Sequence, residues 1–386
     1  MENPKPLKIA IIGPAHPLRG GGISTFNERL AEVLQQQGHS VTIYSFSLQY
    51  PSFLFPGKSQ FTDEPAPKHL TIRTLINSVN PFNWIRVGNI IKNERPDLVF
   101  VRYWLPFMGP CLGTILRIVR RNKHSRIVCI ADNIIPHEKR PGDKQFTSYF
   151  IKPVDAFVTM SKDVLRDIKT FTQKPARFTP HPLYDNYGPR LGKSEACKQL
   201  QLDPDVRYLL FFGFIRKYKG LDILLEAMKD ERIGKEHIQL IIAGEFYDDR
   251  ASYEAQIEAV RDRVQLFTDF IPNEDVKYYF SAADLIVQPY RSATQSGITQ
   301  VAYHFEKPMV VTKVGGLHEV VEDGKTGFVT EPEPKQIADA IIRFFQSPIE
   351  GLQQNLAGQK KKYSWEVFTA ALMETAFPED VSQKEV

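Results

Sequence analysis

The sequence predicts an α/β protein made of two successive doubly wound domains, each a parallel sheet covered by helices. Three observations predict it. The chain has 386 residues, too many for one ordinary hydrophobic core and suited to two domains of roughly 150 to 200 residues. Short apolar runs recur along both halves and alternate with longer stretches of helical periodicity. The alternation breaks at PHPLYDNYGPRLG, a segment of prolines and glycines that reads as a linker.

Taken in order, LKIAIIG is the first buried strand, and the loop after it holds Gly20, Gly21 and Gly22 just before a helix start at Ser24 and Thr25. A glycine loop opening a helix offers unpaired backbone N–H groups to an anion or a sugar hydroxyl. It is neither GxGxxG nor GxxxxGK[ST], so the dinucleotide and ATP fingerprints are absent. In STFNERLAEVLQQQG, Phe26, Leu30, Val33 and Leu34 share one helical face, and Gly38 is placed to cap the end. SVTIYSF follows and ends without the acidic residue expected of a ribose-binding unit, which, with the missing glycine fingerprint, argues against a Rossmann oxidoreductase. DLVFVRY, RIVCIA and DAFVTM complete the strands of the first half.

Two strand ends there carry candidate chemistry. The aromatics of RYWLPF, Arg102 to Phe107, are placed either to stack on a sugar or lipid chain or to pack between domains. The segment CIADNIIPHEKRPGDK offers Asp132, Asn133, His137 and Glu138. His137 suits a hydrogen bond to a transferred sugar or orientation of an acceptor, and Asp132 or Glu138 suits acceptance of the acceptor proton. His181, near the linker, is expected to be structural.

The second half runs through YLLFFG, IQLIIAG, VQLFTDF, ADLIVQP and KPMVVT. In FFGFIRKYKGLDILLEAM, Gly213 permits a tight turn and a helix begins near Gly220, with Arg216 and Lys219 three residues apart between them. A guanidinium grips an oxyanion bidentately and an ammonium adds a point charge, a combination suited to a diphosphate; Lys217 is expected to face solvent.

Composition narrows the partners. The net charge of +4 divides unevenly: residues 1–190 hold 26 Lys and Arg against 14 Asp and Glu, or +12, leaving −8 for the rest. Clusters at Arg117–Arg126 and Lys139–Lys144 make the basic half a candidate surface for anionic lipid or a phosphorylated acceptor. Cys111, Cys129 and Cys197 form no CxxC pair, which argues against a disulfide framework or structural zinc. No signal peptide and no membrane-spanning run is expected, and a cytoplasmic protein, peripheral at most on the inner membrane face, is anticipated.

The ordered set FFGFIRKYKGLDILLEAM, IQLIIAGEF, FIPNEDVKYYFSAADLIVQPY, EKPMVVTKVGGLHEVVEDGKTGFV and KKKYSWEVF resembles the second domain of GT-B glycosyltransferases, in particular the retaining family 4. The likeness spans roughly residues 208 to 368 and is weaker, though consistent, in the GGGISTF, NIIPHEKRPGD and VTMSKDV segments. The resemblance implies a GT-B architecture of two facing Rossmann-like domains with an interdomain cleft: an acceptor domain at 1–186, a nucleotide-sugar domain at 187–368, and a final helix and tail, 369–386, returning to the first. It also implies that Arg216 and Lys219 contact the donor diphosphate, helped by Gly21, Gly22, Ser296, Gly297 and Ile298. Thr294, Gln295 and Gln300, as neutral hydrogen-bonding groups, and Glu245, Phe270 and Ile271 are candidates for the donor sugar or nucleoside.

The family usually carries two glutamates eight positions apart, but this chain places Ala293 and Val301 there, in SATQSGITQVAYHFEKP. Neutral hydroxyls and amides at the helix start still make an anion cradle, through the helix dipole and close approach at Gly297. The expected activity is metal-independent sugar transfer from a nucleoside-diphosphate sugar to a glycan, lipid-linked or polysaccharide-precursor acceptor in cell-envelope synthesis, with retention and without cofactor. Nucleic acid is not an expected partner. A non-catalytic nucleotide-sugar binder and a GT-B nucleotide-sugar epimerase are the alternatives.

Overall fold

The structure, a computed structural model, describes residues 5–18, 22–51, 60–62, 65–136, 140–247, 249–293 and 296–378. The chain divides into two compact units, residues 1–181 with 365–386, and residues 182–364. The division thus falls a few residues before the expected 186/187 and 368/369 boundaries.

Unit 1 runs β1 (Lys8–Ile12), α1 (Ile23–Gln36), β2 (Ser40–Leu48), β3 (Thr71–Asn77), α2 (Pro81–Glu94), β4 (Leu98–Tyr103), α3 (Gly109–Val119), β5 (Arg126–Ala131), α4 (Asp143–Ile151), β6 (Ala156–Thr159), α5 (Lys162–Phe171) and β7 (Ala176–Phe178). Unit 2 runs α6 (Lys193–Leu200), β8 (Arg207–Phe212), α7 (Leu221–Ala227), α8 (Glu231–Lys235), β9 (Ile238–Ala243), α9 (Ala251–Glu258), β10 (Val264–Phe267), α10 (Val276–Ala282) and β11 (Leu285–Gln288). It continues with α11 (Gly297–His304), β12 (Met309–Thr312), α12 (Leu317–Val320), β13 (Gly327–Thr330), α13 (Pro334–Gln346) and α14 (Leu352–Lys362). The last helix, α15 (Trp365–Ala376), belongs to unit 1.

Every strand pair is parallel, in the orders β3-β2-β1-β4-β5-β6-β7 and β10-β9-β8-β11-β12-β13. Strand order reverses beside β1 and β4 in one sheet and beside β8 and β11 in the other. Outside the carboxyl ends of such a pair, neighbouring connections diverge to opposite faces and leave a crevice.

Three strands have weak signals in the sequence. β3, TIRTLIN, is a half-exposed edge strand whose polar residues blur the apolar run; β7 has three residues at the opposite edge; and β13 opens on Gly327, pressed against the Met309 carbonyl.

Each sheet is covered on both faces by apolar clusters. Gly38 closes α1 as expected, with its N–H donating to the Gln35 carbonyl. The RYWLPF aromatics pack inside unit 1: Tyr103 stacks on Phe150 at 4.0 Å, and Trp104 donates its ring N–H to the Tyr50 hydroxyl at 2.6 Å. No helix among the described residues is long and apolar enough to cross a membrane.

The return of α15 rests on aromatic packing, because Trp365 lies 5.0 Å from Phe26 and 5.9 Å from Phe368 between ring centroids and is buried. His181, expected to be structural, sets its ring edge-on to the same Phe26 at 5.3 Å. Truncating a buried indole removes its transfer energy and leaves a cavity. Trp365→Ala is expected to cost unit 1 about 3 kcal/mol, read as a lower midpoint in urea denaturation.

Candidate functional site

The residues assigned to anion binding in unit 2 gather at its strand-order reversal. The turn after β8 carries Arg216 and Lys219, and the segment after β11 leads into α11. Gly213 follows β8 directly with φ of 88°, a left-handed conformation that glycine adopts without strain. A Cβ at Gly213 would lie 3.0 Å from the Lys219 ammonium and 3.5 Å from the Ile298 side chain. The turn, the strand end and the start of α11 therefore converge on one spot.

The electrostatics of this spot are unusual. Lys219 is only 8% exposed, yet among the described residues its ammonium has no carboxylate partner, and the Tyr290 ring lies 5.9 Å away. Burial, together with the positive charge of Arg216, lowers its pKa from 10.5 to about 8. Arg216 is exposed and stands over the Tyr247 ring at 4.7 Å. Two adjacent cations without an acidic partner among the described residues, one of them largely buried, form a site short of negative charge.

The α11 terminus adds to the deficit. Ser296 is its N-cap, and the serine Oγ accepts the Ile298 N–H at 3.2 Å and lies 3.3 Å from the Tyr290 hydroxyl. The Ile298 N–H is thus engaged by the cap, and the Ile298 side chain lies beside Gly213. Gly297, first in the helix, has no intrahelical acceptor for its N–H and remains a candidate anion donor. The Tyr184 ring limits space there, lying 3.2 Å from where a Gly297 Cβ would be.

The other assigned residues are dispersed. The Glu245 carbonyl accepts the Ile215 N–H at 2.8 Å, tying β9 to the cationic turn. Gln300 is 6% exposed and its side-chain oxygen has no hydrogen-bond partner among the described residues. Phe270 is 66% exposed and Ile271 is half-buried in the connection after β10, an edge strand two places from β8, or about 10 Å across the sheet. Val301, at one missing-glutamate position, is packed in the core. Thr294 and Gln295 lie outside the described residues.

In unit 1, Asp132 follows β5 but is not a free base. Both its oxygens accept from Arg102, at 2.5 and 2.9 Å, and Arg102 is 3% exposed with its guanidinium 4.0 Å over the Phe26 ring. Burial pushes the Asp132 carboxyl above its ordinary pKa, with Arg102 pulling the other way. The carboxylate expected to take an acceptor proton is thus occupied by a buried cation, a pairing the sequence did not reveal because the partners are 30 positions apart. Gly22 is the N-cap of α1. Gly20, Gly21, His137 and Glu138 lie outside the described residues.

The two halves match two family profiles: Glycosyltransferase Family 4 over residues 20–182 and Glycosyl transferases group 1 over residues 193–363. An uncharacterized glycosyltransferase of Methanocaldococcus jannaschii is 24% identical over 290 residues, covering 74% of this chain and 76% of its own. Spore coat protein SA of Bacillus subtilis is 24% identical over 367 residues, 87% and 89% of the two chains. Among solved structures, HepE of Anabaena in complex with UDP superposes with a TM-score of 0.68 at 16% identity, covering 96% of this chain and 99% of that one. Sucrose-phosphate synthase of Thermosynechococcus elongatus gives 0.66 at 17% identity, over 97% and 100%.

The low pKa of Lys219 gives the site a pH signature. Anion binding favours the charged ammonium, so affinity is full only well below pH 8 and falls as pH rises through it, by at most about tenfold per unit. Calorimetric titration of inorganic pyrophosphate from pH 7 to 9 is expected to show this decline in the wild type, and weaker binding with a flatter profile in Lys219→Gln.

Proposed function

The chain belongs to the family 4, group 1 type of GT-B glycosyltransferases, and from that premise we propose that it transfers a sugar from a nucleoside-diphosphate sugar held by unit 2 to an acceptor hydroxyl carried on unit 1. The observation that carries this reading is the buried, uncompensated Lys219 ammonium beside Arg216 at the reversal of unit 2's sheet. A diphosphate supplies the missing charge.

The same groups assist the reaction. As the bond between the anomeric carbon and the diphosphate oxygen lengthens, charge builds on the leaving group, where Arg216, Lys219 and the Gly297 N–H are already placed. The acceptor oxygen bonds to the anomeric carbon on the face the diphosphate leaves, and its proton passes to the departing phosphate oxygen. The configuration is retained. Because protein cations balance the diphosphate, turnover does not require a divalent ion and survives EDTA.

His137 and Glu138 are the proposed contacts to sugar and acceptor. Thr294, Gln295 and Gln300 are proposed to hold the donor sugar or ribose through neutral hydrogen bonds, with Phe270 and Ile271 offered to the base. The acceptor class, a glycan or lipid-linked precursor of envelope polysaccharide, is supported by one feature of unit 1: Val79, Phe82 and Ile85 are exposed around the start of α2, Phe82 to 85%, with Arg86 beside them and a basic excess along this half of the chain. Such a surface suits peripheral docking on anionic lipid. Phe82→Ser/Ile85→Ser is expected to reduce cosedimentation with phosphatidylglycerol vesicles at low salt; wild-type binding no better than to neutral vesicles rejects the docking.

A second reading, a nucleotide-sugar binder without turnover, is favoured by one observation: the glutamate positions are Ala293 and a core-packed Val301. Titration of UDP, GDP and ADP and their sugar conjugates separates the possibilities. One diphosphate is expected to bind the wild type, and Arg216→Ala/Lys219→Ala to lose about 2 kcal/mol or more. Release of nucleoside diphosphate on adding acceptor supports transfer, release without acceptor fits an epimerase or hydrolysis, and binding without release favours the binder.

A further inference from the structure

Arg291 lies outside the anion site, yet it is bonded to the turn that forms it. It follows β11, and its guanidinium donates to both oxygens of Asp222 at 2.6 Å each. The same guanidinium reaches the Lys217 carbonyl at 3.3 Å, and the Arg291 backbone N–H donates to the Tyr218 carbonyl at 2.7 Å. Next to these bonds, Gly220 (φ 69°) is pressed so closely against the Pro289 carbonyl that a Cβ would lie 2.0 Å from its oxygen. Residues 217–222 and 289–291 are thus joined by two backbone acceptors, one bidentate ion pair and one steric contact.

The two joined segments border the two halves of the anion site: the first holds Lys219 and adjoins Arg216, and the second precedes Ser296 and Gly297 in the chain. We infer that the Arg291–Asp222 pair is a positioning device, fixing the spacing between the cationic turn and the α11 start so that both meet one diphosphate. The inference rests on the donor reading above. Its chemistry explains why a half-exposed pair, which contributes little to global stability, has full fork geometry: a bidentate arginine constrains orientation as well as distance. Asp222 suits this role at the first turn of α7, where the bonds and charge of Arg291, with backbone N–H groups, hold its carboxyl below the usual range against the opposing effect of burial.

The test compares Arg291→Ala, Arg291→Lys and Asp222→Asn with wild type in two arms. Hydrogen exchange of the unliganded protein is expected to speed by about threefold or more in residues 215–222 of Arg291→Ala and Asp222→Asn, with the rest of unit 2 and the melting temperature little changed. Calorimetry with UDP, GDP and ADP is expected to show weaker binding of the diphosphate that the wild type takes, with Arg291→Lys intermediate and the effects of Arg291→Ala and Asp222→Asn not additive when combined. Unchanged exchange in that segment, or unchanged affinity despite faster exchange, overturns the positioning role. So does loosening spread through unit 2, which marks the pair as merely structural. If the wild type binds none of the three, the donor reading fails, and the exchange arm alone decides whether the pair fixes the turn.

Discussion

A largely buried lysine side chain whose ammonium has no carboxylate partner among the described residues is the constraint on which this structure turns. Desolvating a cation is costly, and the Tyr290 ring at 5.9 Å returns little of that cost. The lowered pKa of Lys219 expresses the imbalance. A fold that keeps such a group carries a local instability that a bound anion would relieve, and on the proposed reading the unliganded protein already has much of the charge arrangement that a leaving diphosphate needs. Preorganised charge of this kind stabilises developing negative charge without reorganisation during the reaction.

The parallel sheet explains why this charge sits where it does. In unit 2 the connections leaving β8 and β11 turn to opposite faces, so the turn bearing Arg216 and Lys219 and the start of α11 meet at the strand-order reversal. Glycine makes the approach close: Gly213 brings the strand end against Lys219, and Gly220 lets α7 begin under the Pro289 carbonyl. Unit 1 has the same winding but different contents. Its reversal beside β1 and β4 holds an ion pair, Arg102 with Asp132, backed by Phe26 and the returning α15. One reversal is short of negative charge and the other has its buried cation paired, which fits a division between anion binding and acceptor binding.

Much of this was legible in the sequence because it depends on local pattern. Buried parallel strands are continuous apolar runs, and the cationic turn is a contiguous string between a strand and a helix, so ten of the strands and the Arg216–Lys219 pair could be read directly. What escaped depends on distance along the chain or on the balance of exposure. β3 and β7 are edge strands with partly exposed or very short patterns. The commitment of Asp132 to Arg102 joins neighbouring strands, and that of Arg291 to Asp222 spans 69 positions. The capture of the Ile298 N–H by Ser296 is a matter of cap geometry. The burial that makes Lys219 different from Lys217 is likewise tertiary, since both occupy the same short basic string.

The central claim is that the charge deficit at the reversal of unit 2's sheet is filled by the diphosphate of a sugar donor. An experimental structure of the protein with its nucleoside diphosphate tests this most directly. The account predicts phosphate oxygens within about 2.7–2.9 Å of the Lys219 ammonium and the Arg216 guanidinium, as charge-assisted hydrogen bonds require, with the Gly297 N–H donating to the same group. A diphosphate bound elsewhere, with Lys219 still unpaired, would contradict it.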